Sequence, residues 1–105
     1  MTDKPKLIGT GNKDGRFYYI FDKNPSFFTL FSKFLLNCGF QDLDVYEDYL
    51  DNPPDINKIK NKLEHIRNDK YDIDIIYTQD RIILIIRTNN INKDNLDIGI
   101  TKMSA

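Results

Sequence analysis

Cysteine is almost missing from this chain. Cys38 stands alone, so no internal disulfide can form and a stapled secreted framework is excluded. Histidine is equally scarce. His65 has no second His or Cys at ligand spacing, so the sequence offers no metal site. Long apolar runs are lacking too: the longest, Ile82 to Ile86, is far too short to span a bilayer. No apolar stretch follows MTDKPK, so no signal peptide is expected and the expected location is cytoplasmic, away from membranes. Neither charge dominates. The formal net charge of −1 disfavours a strongly basic nucleic-acid binder.

What is present suffices for a single globular domain over residues 1–105. At 40% hydrophobic content, with Ile, Phe and Tyr prominent, the chain can build a core. Asn, Ile and Lys are abundant and Ala is nearly absent, a bias that fits an AT-rich coding sequence of bacterial or phage origin.

Leu7–Ile8 reads as a short strand and RFYYIFD, residues 16–22, as its partner, with Phe17, Tyr19 and Phe21 on one face. The stretch NPSFFTLFSKFLLNCGF is the clearest helix. Phe27, Leu30, Phe31, Phe34, Leu35 and Cys38 recur at helical spacing, and Phe28 and Leu36 widen the stripe. Asn24 is placed to cap its start and Pro25 to open its first turn. Gly39 is placed to end it, with Phe40 folding back towards Leu35 in a Schellman cap.

A third strand is expected within residues 42–50. A second helix is expected from about Asp55 to Asn68, with Ile56, Ile59, Leu63 and Ile66 inward and lysines outward. YDIDIIYT and RIILIIRT then read as a hairpin around Gln79-Asp80. Tyr71, Ile73, Ile75 and Tyr77 form its core face. RIILIIRT is apolar on both faces, the pattern of a central strand; at a sheet edge it would instead pair across a dimer. The tail NLDIGIT alternates and is expected to add a strand after the polar loop NNINKDN. The expected fold is α+β: a mostly antiparallel sheet of five to six strands with two helices on one face, in the order β-β-α-β-α-β-β-β. Oligomeric state stays open between monomer and dimer.

The stretch GTGNKDG, residues 9–15, is the most ligand-like in appearance. A dinucleotide fingerprint needs its last glycine to open a helix, whose N-terminus holds the pyrophosphate. Here Gly15 opens a strand pattern, the spacing is G-x-G-x-x-x-G, and no GK[ST] follows. The expectation is a turn through Asn12, Lys13, Asp14 and Gly15. No cofactor is called for.

Other chemistry is thin. His65 needs an orienting partner to act as a base, and no Ser or Cys can be set beside it. Asp72 and Asp74 share a strand face, as cation-binding carboxylates do in nucleases. The lysine of a restriction-endonuclease core is absent from RIILIIR, so these acids read as a solvent face. Lys58, Lys60 and Lys62 on the expected second helix could meet phosphate, which gives a small nucleic-acid-binding regulator as the alternative function.

The charge layout is more informative. Asp42, Asp44, Glu47, Asp48, Asp51 and Asp55 follow one another with no Lys or Arg between them, and Tyr46 and Tyr49 are interleaved. Such a run either discourages edge-to-edge aggregation or attracts a cationic partner. Tyrosine among charges is a common composition of interface hot spots. In overall character (one small α+β domain, no catalytic constellation, an acidic patch) the chain resembles the immunity proteins of bacterial contact-dependent inhibition systems. That resemblance implies a non-enzymatic inhibitor whose partner is a basic toxin domain, such as a nuclease. Its partner-binding residues would be Asp42, Asp44, Tyr46, Glu47, Asp48, Tyr49 and Asp51.

Overall fold

The computed structural model describes residues 4–41, 48–49 and 51–104. Its elements are β1 (Leu7–Lys13), β2 (Arg16–Asp22), α1 (Phe27–Asn37), a 3-10 turn (Ile56–Lys58), β3 (Lys62–Arg67), β4 (Asp72–Tyr77), β5 (Arg81–Arg87) and α2 (Asn90–Met103). The strands form one antiparallel sheet in the order β1-β2-β5-β4-β3. The class is the one the sequence implies, α+β with helices packed on one sheet face. The element order differs: the second helix follows the last strand.

The glycine stretch is a hairpin. Asp14 and Gly15 both have positive φ, 54° and 75°, and Lys13 pairs with Arg16. Two left-handed residues between paired strands match the twist of the strands on either side, which is why Asp-Gly is favoured there. β1 runs on through Gly9, Thr10, Gly11 and Asn12, further than Leu7–Ile8 alone.

β5 is the central strand, as its two apolar faces require. The β4–β5 hairpin turns at Gln79-Asp80 although neither residue has positive φ. The Thr78 side chain explains this tolerance: its Oγ1 accepts from Arg81 N at 2.9 Å while Thr78 N donates to Arg81 O at 2.9 Å. The expected core faces hold. Phe17, Tyr19 and Phe21 of β2, and Tyr71, Ile73, Ile75 and Tyr77 on or beside β4, are all buried.

α1 ends as its sequence requires. Phe40 N donates to Leu35 O and Gly39 N to Leu36 O, both at 3.1 Å, with Gly39 at φ 86°. These are the two bonds of a Schellman cap. At the other end Asn24 Oδ1 accepts from Ser26 N at 2.9 Å, and Phe27 N donates to Asn24 O at 2.9 Å, so the capping chemistry sits at Asn24. Leu36 departs from expectation. It is 46% exposed, so the buried stripe is Phe27, Phe28, Phe31, Phe34, Leu35 and Cys38, with Leu30 at its margin.

Two expectations fail. Residues 55–68 do not form a helix: Asp55 caps a single 3-10 turn by accepting from Asn57 N, and β3 follows. Ile56 is buried as expected, but Leu63 is 66% exposed on the outer face of β3. The helical spacing loses to an edge pairing, because β3 covers the free hydrogen bonds of β4. The lysines therefore share no helical face. Lys58 lies in the 3-10 turn, Lys60 in a loop and Lys62 on a strand.

The tail is a helix and not a strand. Asn89 caps it by accepting from Asn92 N at 3.1 Å. Leu96, Ile100 and Met103 are buried at helical spacing, while Ile98, which alternation would place inside, is 54% exposed. Both helices deliver their apolar residues to the same core as β2, β4 and β5.

Candidate functional site

Polar chemistry gathers on three surfaces among the described residues. The first lies beside the glycine stretch. Thr10, Gly11, Asn12, Phe17, Tyr19, Lys93 and Asp97 line a pocket of about 280 Å³ between the β1–β2 hairpin and α2. Tyr19 Oη donates to Asp97 Oδ1 at 3.0 Å, and Lys93 Nζ lies 5.4 Å from the centre of the Phe17 ring. Burial, then the Asp97 carboxylate, holds the Tyr19 phenol well above its ordinary range. These contacts tie α2 to the sheet, and Gly15 leads into β2 and not into a helix.

The second is the acidic stretch. Asp42, Asp44, Tyr46 and Glu47 lie outside the described residues, as does most of the strand expected over 42–50. Asp48, Tyr49 and Asp51 are helical, and Asn52 N donates to Asp48 O at 2.7 Å. Tyr49 points inward. Its ring lies 4.9 Å from that of Phe28 at an edge-on angle of 61°. Its phenol is raised by burial first, then by the charges of Glu64 and Asp48. Asp48 and Asp51 are exposed.

The third surface was only half visible in the sequence. It lies on the sheet face turned away from the helices. His65 stands opposite Asp74 on β4, and its Nε2 is hydrogen-bonded to Asp72 Oδ1. Arg16 of β2 stands opposite Arg87 of β5, and Arg87 stands opposite Asp72. Together with Ile85 these residues line a cleft of about 210 Å³. His65, Asp72 and Asp74 were candidates on sequence grounds. The arginines were not, because nothing local pairs residue 16 with residue 87. The signal was available in the strand ends, since each apolar run closes on an arginine.

The remaining candidates stay apart. Cys38 is buried at the end of α1, and burial pushes its thiol up to about 12, so it behaves as a small apolar side chain. Lys62 Nζ is 4.0 Å from Glu64 Oε2, a contact that a solvated strand face needs no ligand to explain. No group of three His, Cys, Asp or Glu is placed to hold a metal among the described residues. No helix among them is long and apolar enough to cross a membrane.

No protein-family model, no curated protein and no solved structure matches the chain.

Proposed function

We propose that this chain is a non-enzymatic protein-binding module, an inhibitor or immunity protein that neutralises a basic toxin domain through its acidic, tyrosine-bearing stretch. The observation that carries the reading is the division of labour around Tyr49. Its ring is seated on Phe28, while Asp48 and Asp51 on the same turn are exposed and have no cation within ion-pair distance among the described residues. A side chain anchored in the core fixes the backbone, and the uncompensated carboxylates then face solvent as a fixed charged surface. Such a surface steers a cationic partner and speeds encounter more than it tightens the final complex. Asp42, Asp44 and Glu47 add three more acids to the same stretch of sequence.

The test is capture of the cognate toxin from the native host. Reversing Asp44, Glu47 and Asp48 to lysine is expected to lower the association rate by tenfold or more at low salt, with the fold unchanged. High salt should shrink the difference between the two proteins. If the reversed protein binds its partner as fast as the original, the acidic stretch is not the interface.

A further inference from the structure

Arg16 and Arg87 sit on the sheet face opposite the helices, a face that Arg67 of β3 and Arg81 of β5 share by register. Arg16 and Arg87 are direct partners across β2 and β5. Directly opposite side chains share a sheet face with their β-carbons roughly 5 Å apart, and like charges placed so repel one another. Relief stands next door, because Asp72 is the partner of Arg87 on its other side. Yet Asp72 is taken by His65. Among the described residues neither arginine has a carboxylate within 4 Å, and both are exposed. A pair of forked donors on a common floor is the arrangement that receives an oxyanion bidentately.

The surroundings limit what that anion can be. The cleft encloses about 210 Å³, less than the roughly 300–1,000 Å³ of pockets for drug-sized ligands. It admits a side chain or a small acid and not a nucleotide. Asp72 and Asp74 lie in the same cleft. They repel a dianionic phosphate more strongly than a monoanionic carboxylate. The ground beside the cleft is apolar. Tyr18 stands opposite Ile85, Ile20 opposite Ile83, Ile83 opposite Ile76, and Ile76 opposite Leu63. Leu63 at the end of this row is 66% exposed. Tyr18 and Ile85 adjoin the cation pair, and the row Ile20, Ile83, Ile76 and Leu63 lies one rung beyond, which selects a ligand that is acidic at one point and apolar next to it.

We propose that the Arg16–Arg87 cleft binds the carboxylate of an acidic residue flanked by apolar residues in a partner polypeptide, with the apolar neighbours lying on Tyr18 and Ile85 and towards Ile20 and Ile83. Tyr49 packs on Phe28 of α1, on the helix side of the sheet, and the cleft takes a ligand of opposite charge, so the two readings are tested separately.

The experiment follows the arginine side-chain Nε resonances by NMR while capped peptides are added. One probe is glutamate between two isoleucines, acetylated and amidated; a second carries glutamine in its place; a third is inorganic phosphate. The glutamate peptide is expected to shift Arg16 and Arg87 saturably, and the glutamine peptide to bind at least tenfold more weakly. Arg16→Gln and Arg87→Gln should each lower the affinity for the glutamate peptide about tenfold while the amide spectrum shows the fold intact. The comparison of the three probes on the unaltered protein decides the matter even if a variant unfolds. Equal binding of the glutamine peptide, no saturation by either peptide, or tighter binding of phosphate than of the glutamate peptide would each overturn the proposal.

Discussion

Gly99 of α2 faces the ring of Phe34 on α1 so closely that a β-carbon there would lie 2.7 Å from Phe34 Cδ1 and 2.8 Å from Cε1. Phe34 is itself 2% exposed, stacked beside Phe31, and cannot swing aside freely. The helices therefore meet where one of them has no side chain. Gly99→Ala would gain about 1 kcal/mol of helix propensity and lose about 1–3 kcal/mol to overpacking. The balance is a net loss of up to about 2 kcal/mol in urea unfolding. Shrinking the ring with Phe34→Leu in the same chain should recover part of that loss. A Gly99→Ala protein more stable than the original by the full helix-propensity gain of about 1 kcal/mol would show that the helices do not meet this way.

Gly39 tests the other end of α1. It sits at φ +86°, and an added β-carbon would meet only Asn68 Nδ2, at 3.8 Å. Space is therefore available and the cost of Gly39→Ala is conformational. About 1–2 kcal/mol is expected, the penalty of holding an L-residue in the left-handed region. Asn at the same position should cost less, because Asn tolerates that region. Equal stability of the alanine and asparagine variants would contradict the Schellman geometry.

These two glycines mark what the sequence disclosed and what it withheld. Gly39 was legible because its signal is local: a helical stripe, then Gly, then an apolar residue. Asp14-Gly15 and the alternating faces of β2 and β4 were legible for the same reason. Gly99 was not, because Leu96, Ile98 and Ile100 satisfy a strand pattern while Leu96, Ile100 and Met103 satisfy a helical one. Only the Asn89 cap and the close fit to Phe34 separate the two. The helix expected over 55–68 failed in the opposite way. Its spacing is helical, but β4 offered an unpaired edge, and tertiary pairing outranks local pattern. The arginine cleft fell in the same gap, since Arg16 and Arg87 meet only through sheet register. The acidic stretch was visible as charge, but nothing in its sequence distinguished Tyr49, which packs inward, from a tyrosine displayed to solvent.

Asn68 is the residue that turns the chain from β3 into β4, and it should be costly to replace. Its Oδ1 accepts from Lys70 N at 2.9 Å and Tyr71 N at 2.7 Å, and its Nδ2 donates to Cys38 O at 3.1 Å. One side chain thus closes the turn and ties it to the end of α1. Asn68→Ala removes all three bonds and is expected to cost about 1–3 kcal/mol. Asn68→Asp keeps the two accepted bonds and loses the donated one, so its cost should be smaller. If the aspartate variant were as unstable as the alanine one, the bond to Cys38 would matter more than the two that close the turn.

Alkaline pH should unfold this domain earlier than its neutral stability suggests. Burial, then the bond to Asp97 and its charge, raise the Tyr19 phenol. Burial also raises Tyr71 and Tyr49, and lifts Cys38 from 9.0 to about 12. In each case the folded state holds its proton more tightly than the unfolded chain. Below about pH 8 both states are protonated and the full stability is present. Between about pH 8 and 12 the unfolded chain ionises while the fold resists, so stability falls as pH rises. The urea midpoint is expected to drop steadily from about pH 8.5 to 11.5. Tyr19→Phe should lower the midpoint at neutral pH, through the lost bond to Asp97, yet make the alkaline decline shallower. Cys38 should resist iodoacetamide in the native protein and react at once in denaturant. A midpoint that stays flat across that alkaline range, or a native Cys38 that labels as fast as free thiol, would mean that these groups are not held as the structure places them.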